Sequence, residues 1–395
     1  MPAPPGLSPS TASIKASIYS ALIERASARG GEVYPLHVGD TWLGPPEGCL
    51  PEEIRASEHP GLNLYTPIQG MPALLEAIRE RQEVRTGLRP ERGEALVTAG
   101  ATSGLANAVG AIAAPGDEVL ILAPHWPLIA GIVRCFGAVP VPVPFFGVAD
   151  AAETAIEIVR SQRTSRTVAL YVNTPNNPTG AVIPRDWLET LVAWAASDRL
   201  WVVSDEVYED TVYEGAHTYA RPLAPERTVA AHSFSKAYGM AGYRCGYLVG
   251  PAPLLTEAAK ISTHTIYSTP TASQIAALRA LGDAGEAWIA KAKPLYRDVK
   301  DRAAARLGVP SPPGSTFLFL DVAEHLRDDG LGGFLTRCAD EGLLLAPGPV
   351  SARTRHASVS ATRRRLRKSL CAASRCWPVC SGDSVCPSLL LVRSG

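Results

Sequence analysis

Lys236 lies in Ser233-Phe234-Ser235-Lys236-Ala237-Tyr238-Gly239, a run of small, hydroxylated and turn-forming residues, and Arg244 follows it eight positions later. A lysine held among serines and apolar residues is poorly placed as a solvated surface charge. Desolvation favours its neutral form, and a neutral amine is a nucleophile toward carbonyls. Ser233 offers a hydroxyl and Arg244 a planar fork of donors, a pair suited to an anion such as a phosphate ester. A carbonyl for the lysine and a phosphate for the clamp together suggest pyridoxal phosphate.

Further polar residues follow short apolar runs. Seven such runs, 94–98, 118–122, 139–143, 167–172, 200–204, 228–233 and 244–249, suit buried strands, and helical stretches separate several of them. The alternation predicts an α/β fold with a mostly parallel seven-stranded sheet covered by helices on both faces. Open sheets of this kind bind ligands beyond the carboxyl ends of their strands. There the chain places Gly100-Ala101-Thr102 at the start of a helix, Trp126 after the second run, Asn177 after the fourth, and Asp205 with Tyr208 after the fifth. Free amides at the helix start suit a phosphate. The Trp126 indole is either a core residue or a face on which a ring can stack, and its position favours stacking.

The stretch from Ser233 to Gly246 resembles the SFSKxxGxxGxRxGY signature of the class I/II aminotransferases, the fold type I pyridoxal phosphate enzymes. Asn173-Thr174-Pro175-Asn176-Asn177-Pro178-Thr179-Gly180 resembles the NxPNNPTG motif of that family, and 312–320 its PxGxFYLF strand. The resemblance covers roughly residues 14–349. It implies that Lys236 carries pyridoxal 5'-phosphate as a Schiff base and that Asp205 pairs with the pyridine nitrogen. It further implies that Asn177 and Tyr208 meet the phenolic oxygen, and that Ala101, Thr102, Ser233 and Arg244 hold the phosphate. Tyr65, in Tyr65-Thr66-Pro67-Ile68-Gln69-Gly70, resembles the tyrosine that reaches the phosphate of the other subunit, which implies a homodimer with shared active sites. Gly39 either borders the substrate carboxylate with Asn177 or merely forms the turn before Pro45-Pro46. The Asn177–Pro178 bond is a candidate cis peptide.

The implied activity is transfer of an amino group between an L-amino acid and a 2-oxo acid. Two other readings use the same residues: a β-elimination lyase, and a cofactor-binding protein with impaired turnover. Balanced charge, 38 basic against 38 acidic residues, gives no reason to expect nucleic acid. No run approaches a membrane span, no leader pattern opens the chain, and no metal site is expected; a cytoplasmic enzyme is the reading. Cys49, Cys135, Cys245 and Cys338 read as reduced core thiols.

The expected organisation is an N-terminal arm with part of a small domain over 1–45, a large cofactor-binding domain over 46–284, and a smaller α/β domain over 285–349. An opening helix is read over 12–29 and an extended run over 36–40. After Val350 no helix or strand period is readable. The spacing of Cys371, Cys376, Cys380 and Cys386 is too loose for a zinc site. The family ends instead on a V-R-L strand, whose arginine binds the substrate carboxylate, and an amphipathic helix. Permitted codons read in a shifted frame from about Thr354 restore both, with the arginine falling across Ser358 and Val359. The tail 350–395 is therefore expected to be frame-shifted or disordered.

Overall fold

The computed structural model describes residues 19–348 and 356–360, with positions 6, 8–12 and 14 ahead of them. All seven expected strands form one sheet: β2 (Ala95–Thr98), β3 (Glu118–Ala123), β4 (Val139–Pro144), β5 (Thr167–Asn173), β6 (Trp201–Asp205), β7 (Thr228–Ser233) and β8 (Gly246–Val249). They follow β1 (Tyr34–Pro35) in the chain. The order across the sheet is β2-β8-β7-β6-β5-β3-β4, and only β8 runs antiparallel to its neighbours. The edge strand β4 reads Val-Pro-Val-Pro-Val-Pro. Its prolines share one parity, so their missing N–H groups all face the free edge. The Val139 amide instead points inward, to Asp117 O.

Each central strand is buried on both faces with a period of two. Val119, Ile121, Ala169, Tyr171 and Val203 pack with Leu105 and Ala108 of the helix Gly100–Ile112. Leu120, Leu122, Leu170, Val172 and Val202 face the other way, onto Leu188, Leu191 and Val192 of the helix Arg185–Ser197. Burying such a side chain is worth about 1.5–3 kcal/mol, so the sheet is a rigid platform for whatever its strand ends carry. The helix Pro72–Thr86 starts on a proline that needs no amide partner and stops at Gly87, whose φ of 71° ends it in the left-handed region.

Past residue 280 come the helix Asp283–Leu307, β9 (Phe317–Asp321), the helix Gly330–Asp340, β10 (Leu343–Leu344) and β11 (Ala346–Pro347). β10 pairs in parallel with β1. β9 and β11 flank β12 (His356–Ser360) in an antiparallel sheet.

Several expectations need correction. Of the opening helix read over 12–29, the described residues show the helices Pro9–Ala12 and Tyr19–Ala28, with a bend at Ile14. The segment 36–40 is not extended beyond Pro35 but turns, with Leu36 N–H bonded to Tyr34 O. Cys135 is exposed at the end of a helix, because its apolar neighbours Ile129 and Val133 take the inward face; Cys49, Cys245 and Cys338 are buried thiols. A strand does exist after Val350, since β9 and β11 each offer β12 an edge to pair with. The other tail residues, 349–355 and 361–395, lie outside the described residues.

β8 crosses the start of the helix Gly100–Ile112 so closely that a Cβ on Gly246 would sit 2.6 Å from His232 O and 2.8 Å from Ala101 N. Gly246→Ala is expected to cost about 1–3 kcal/mol in urea unfolding. Gly242→Ala, with nothing within 4 Å of the added carbon, should change stability by less than about 0.5 kcal/mol. Equal stability of the two variants would contradict the close approach.

Candidate active site

Three neighbouring strands deliver polar residues to one place because their register is parallel and nearly flush. β5 ends on Asn173, paired across from Asp205 at the end of β6, and β7 ends on Ser233, opposite Gly246. Asn173 joins two of these ends. Its Nδ2 donates to Asp205 O at 2.9 Å, and its Oδ1 accepts the Asn177 amide at 2.7 Å. That second bond folds the 173–180 loop over the strand ends, where Asn177–Pro178 is cis as expected, as are Thr174–Pro175 and Ala123–Pro124.

A cavity of about 450 Å³ opens beyond these ends. Every candidate residue except Tyr65 lines it: Gly39, Ala101, Thr102, Trp126, Asn177, Asp205, Tyr208, Ser233, Lys236 and Arg244. Tyr65 lies on the surface with 83% of its area exposed, its ring edge on to Tyr267 at 4.9 Å.

One end of the cavity is built for an anion. No side chain caps the helix Gly100–Ile112, so its first amides stay open. Ser233 caps the next short helix by accepting the Ser235 amide at 3.0 Å, which leaves its hydroxyl hydrogen free to donate. Arg244 adopts a left-handed backbone with φ of 50°, and its guanidinium donates to Ala241 O at 2.8 Å. Gly100 makes room for it, since a Cβ there would lie 2.4 Å from Arg244 Nη2. Amides, a hydroxyl and a guanidinium around a gap that lacks side chains fit the phosphate of pyridoxal phosphate.

The other end carries the carboxylate and the phenol. Asp205 is buried, which raises its pKa to about 6 against the opposing pull of the Tyr171 hydroxyl and the Val207 amide. Asn177 Nδ2 donates to Tyr208 OH at 3.4 Å, and the Tyr208 ring stands edge on to Phe317 at 5.7 Å. Burial drives the Tyr208 phenol far above its ordinary range, helped by the nearby Asp205 carboxylate. Lys236 Nζ donates to Gly39 O at 2.9 Å. Packing by itself requires glycine at 39, because a Cβ there would lie 2.7 Å from Phe317 Cζ.

Behind the sheet end lies a buried charge network with no counterpart in the motif reading. His232 Nδ1 is 3.1 Å from Glu209 Oε1, His217 Nε2 is 3.4 Å from Glu206 Oε2, and Arg81 Nη2 is 2.7 Å from Asp210 Oδ2. Burial alone would raise Glu209, yet His232 and Arg81 hold it below the usual carboxylate range.

Sequence reasoning also missed Tyr171 and Phe317. Tyr171 lay in the apolar run 167–172 and Phe317 in the 312–320 stretch that resembles the family's PxGxFYLF strand, and neither was singled out as a site residue. A polar tip two positions before the end of a strand adjacent to the Asp205 strand was the available signal for Tyr171, and the PxGxFYLF resemblance was the signal for Phe317.

A family model described as aminotransferase class I and II matches residues 32–329. A probable aspartate/prephenate aminotransferase of Thermus aquaticus is 35% identical over 365 residues, covering 90% of this chain and 94% of its own. The aspartate/prephenate aminotransferase of Thermus thermophilus is 34% identical over 354 residues, with 87% and 90% covered. Among solved structures, a double mutant of the Thermus thermophilus aspartate aminotransferase superposes with a TM-score of 0.85 at 32% identity, covering 94% of this chain and 100% of that one. Members of this family use pyridoxal phosphate. A matched family model over most of the chain, relatives above 30% identity and a cavity whose two ends suit a phosphate and a pyridine ring lead to one assignment: the chain belongs to the class I and II aminotransferases.

Proposed function

We propose that this aminotransferase binds pyridoxal 5'-phosphate through a Schiff base on Lys236 and moves an amino group between an L-amino acid and a 2-oxo acid. The observation that carries the reading is the placement of Lys236, Asp205 and the Ser233–Arg244 anion cradle around one cavity. Bound there, the cofactor supplies an electron sink for negative charge developing at the substrate α-carbon.

The residues divide the remaining work. Arg244, Ser233 and the amides of Ala101 and Thr102 hold the phosphate and so fix where the ring lies. Trp126, half-buried on the cavity wall, offers a face for stacking. Asp205 keeps the ring nitrogen protonated, and Asn177 and Tyr208 donate toward the phenolic oxygen. Lys236 would carry the proton at the substrate α-carbon. Gly39 and Asn177 border the substrate carboxylate.

The exposed pair Tyr65 and Tyr267 is a surface that a second copy would cover, with Tyr65 completing the phosphate site of the partner. A homodimer is therefore part of the proposal, as are the division into a large domain over 46–284 and a small domain over 285–349 and a cytoplasmic location. Among the described residues no helix is long and apolar enough to cross a membrane.

The tail belongs to the same proposal. β12 pairs Ser358 with Phe319 and Ala346, so its backbone runs beside β9 and β11, which contribute Phe317, Ala346 and Pro347 to the cavity wall. An arginine restored across 358–359 by the shifted frame would enter the chain at that wall.

Three outcomes are expected. Purified protein with pyridoxal phosphate should convert L-amino acids, starting with the aspartate that names the Thermus relatives, to 2-oxo acids with matching amination of an acceptor oxo acid; ammonia and pyruvate without an acceptor would mark a lyase instead. Lys236→Ala should lose the borohydride-reducible cofactor adduct yet bind pyridoxal phosphate non-covalently, because the phosphate cradle is separate from the lysine, and a surviving adduct would remove Lys236 from its role. Resequencing the gene and weighing the intact native protein should reveal the shifted frame; a mass matching the present tail together with full transaminase turnover would refute it.

A further inference from the structure

Tyr171 occupies the centre of the sheet, two positions before the end of β5, with 1% of its surface exposed. It pairs in register with Val203, so Asp205 is its diagonal neighbour on the same face of the sheet. Its hydroxyl donates to Asp205 Oδ2 at 2.6 Å, the short distance typical of a hydroxyl on an ionised carboxylate. Asp205 Oδ1 accepts the longer Val207 amide bond, at 3.4 Å. The carboxylate itself lines the cavity. A buried phenol usually finds a partner for its hydroxyl, and among the described residues the partner is Asp205, the group assigned to the cofactor's ring nitrogen.

We propose that Tyr171 is a positioning residue for amino-group transfer, holding the Asp205 carboxylate ionised and aimed at the ring nitrogen of the bound cofactor. The proposal rests on the role given to Asp205 above. Besides burial, and with the neutral Tyr208 phenol also close by, the main influences on that carboxylate come from four groups. Tyr171 from β5, the Val207 amide and His232 from β7 favour its charged form, and Glu206, its neighbour in the chain, opposes it. Tyr171 is the strongest of the favourable influences. Burial and the adjacent carboxylate hold the phenol far above its ordinary range, so it stays a neutral donor across the working pH. Glu209 and the stacked Tyr247 face His232 rather than Asp205.

The sign of the effect follows. Burial raises Asp205, and the Tyr171 hydroxyl lowers it. Removing that hydroxyl raises Asp205 further and shrinks its ionised fraction near neutrality, with recovery as the pH rises. A hydrogen bond to a buried charge corresponds to about one to two pKa units.

The test compares Tyr171→Phe, Asp205→Asn and the double variant with the wild-type holoenzyme. In Tyr171→Phe, the acid limb of the kcat profile should move up by about one unit. Turnover should fall about twofold at pH 7 and about tenfold at pH 5, with KM nearly unchanged. Pyridoxal phosphate affinity, measured by equilibrium dialysis, should be weaker near pH 6.5 and return toward wild type by pH 9. Asp205→Asn should abolish the pH dependence, and adding Tyr171→Phe to it should cost little more, as for two residues acting in series. A Tyr171→Phe loss equal at every pH, an unmoved acid limb, or additive losses in the double variant would each overturn the proposal. If Asp205→Asn turns over normally, the role of Asp205 is what fails, and the role of Tyr171 falls with it. If Asp205→Asn is crippled while Tyr171→Phe behaves as wild type, Tyr171 alone is excluded.

Discussion

The flush parallel register of β5 on β6, Asn173 against Asp205, is the constraint on which the site depends. Strand ends at one level bring a carboxylate, an amide side chain and the loop that carries Asn177 within hydrogen-bond reach. A slip of one residue would turn Asp205 to the opposite face of the sheet. The slip is prevented by burial on both faces: Tyr171 and Val203 must meet the helix Gly100–Ile112 while Leu170 and Val202 meet the helix Arg185–Ser197. Packing energy far from the cavity thus specifies the position of the charge within it.

The two ends of the cavity use opposite strategies. At the anion end the backbone does most of the work, through uncapped amides and through glycines at 100 and 246 that let Arg244 and β8 come close. At the carboxylate end the side chains do it, in layers. Asp205 is held by Tyr171, and behind it His232 is held by Glu209. A buried carboxylate with no such support would take up a proton and lose its charge. Rigid donors suit an anion, and a balanced network suits a buried carboxylate held in its charged form.

The motif residues were legible because each is a reactive or conformationally special type at a strand end: a lysine among serines, an asparagine before proline, an aspartate after an apolar run. The seven strands were equally legible from short apolar runs, and even the proline-alternating edge strand fell where it was read. Boundaries in the N-terminal segment were not, since 36–40 carries the same apolar signal as a strand but turns after Pro35. β12 was invisible for the converse reason. His356–Ser360 has no pattern of its own and becomes a strand because β9 and β11 present open edges on either side.

By itself the amino-acid sequence determined the α/β class, the strand inventory and the chemical types gathered at the strand ends, because these follow from local periodicity and from residue chemistry. Only the tertiary structure decided which residues act together. Tyr171 reads as one more core aromatic until the register of β5 on β6 sets its hydroxyl against Asp205. Phe317, more than a hundred residues beyond Asp205, reaches Tyr208 and Gly39 only because a separate sheet is folded against the cavity. Contacts between residues distant in the chain depend on how sheets and helices stack, and no local pattern records that.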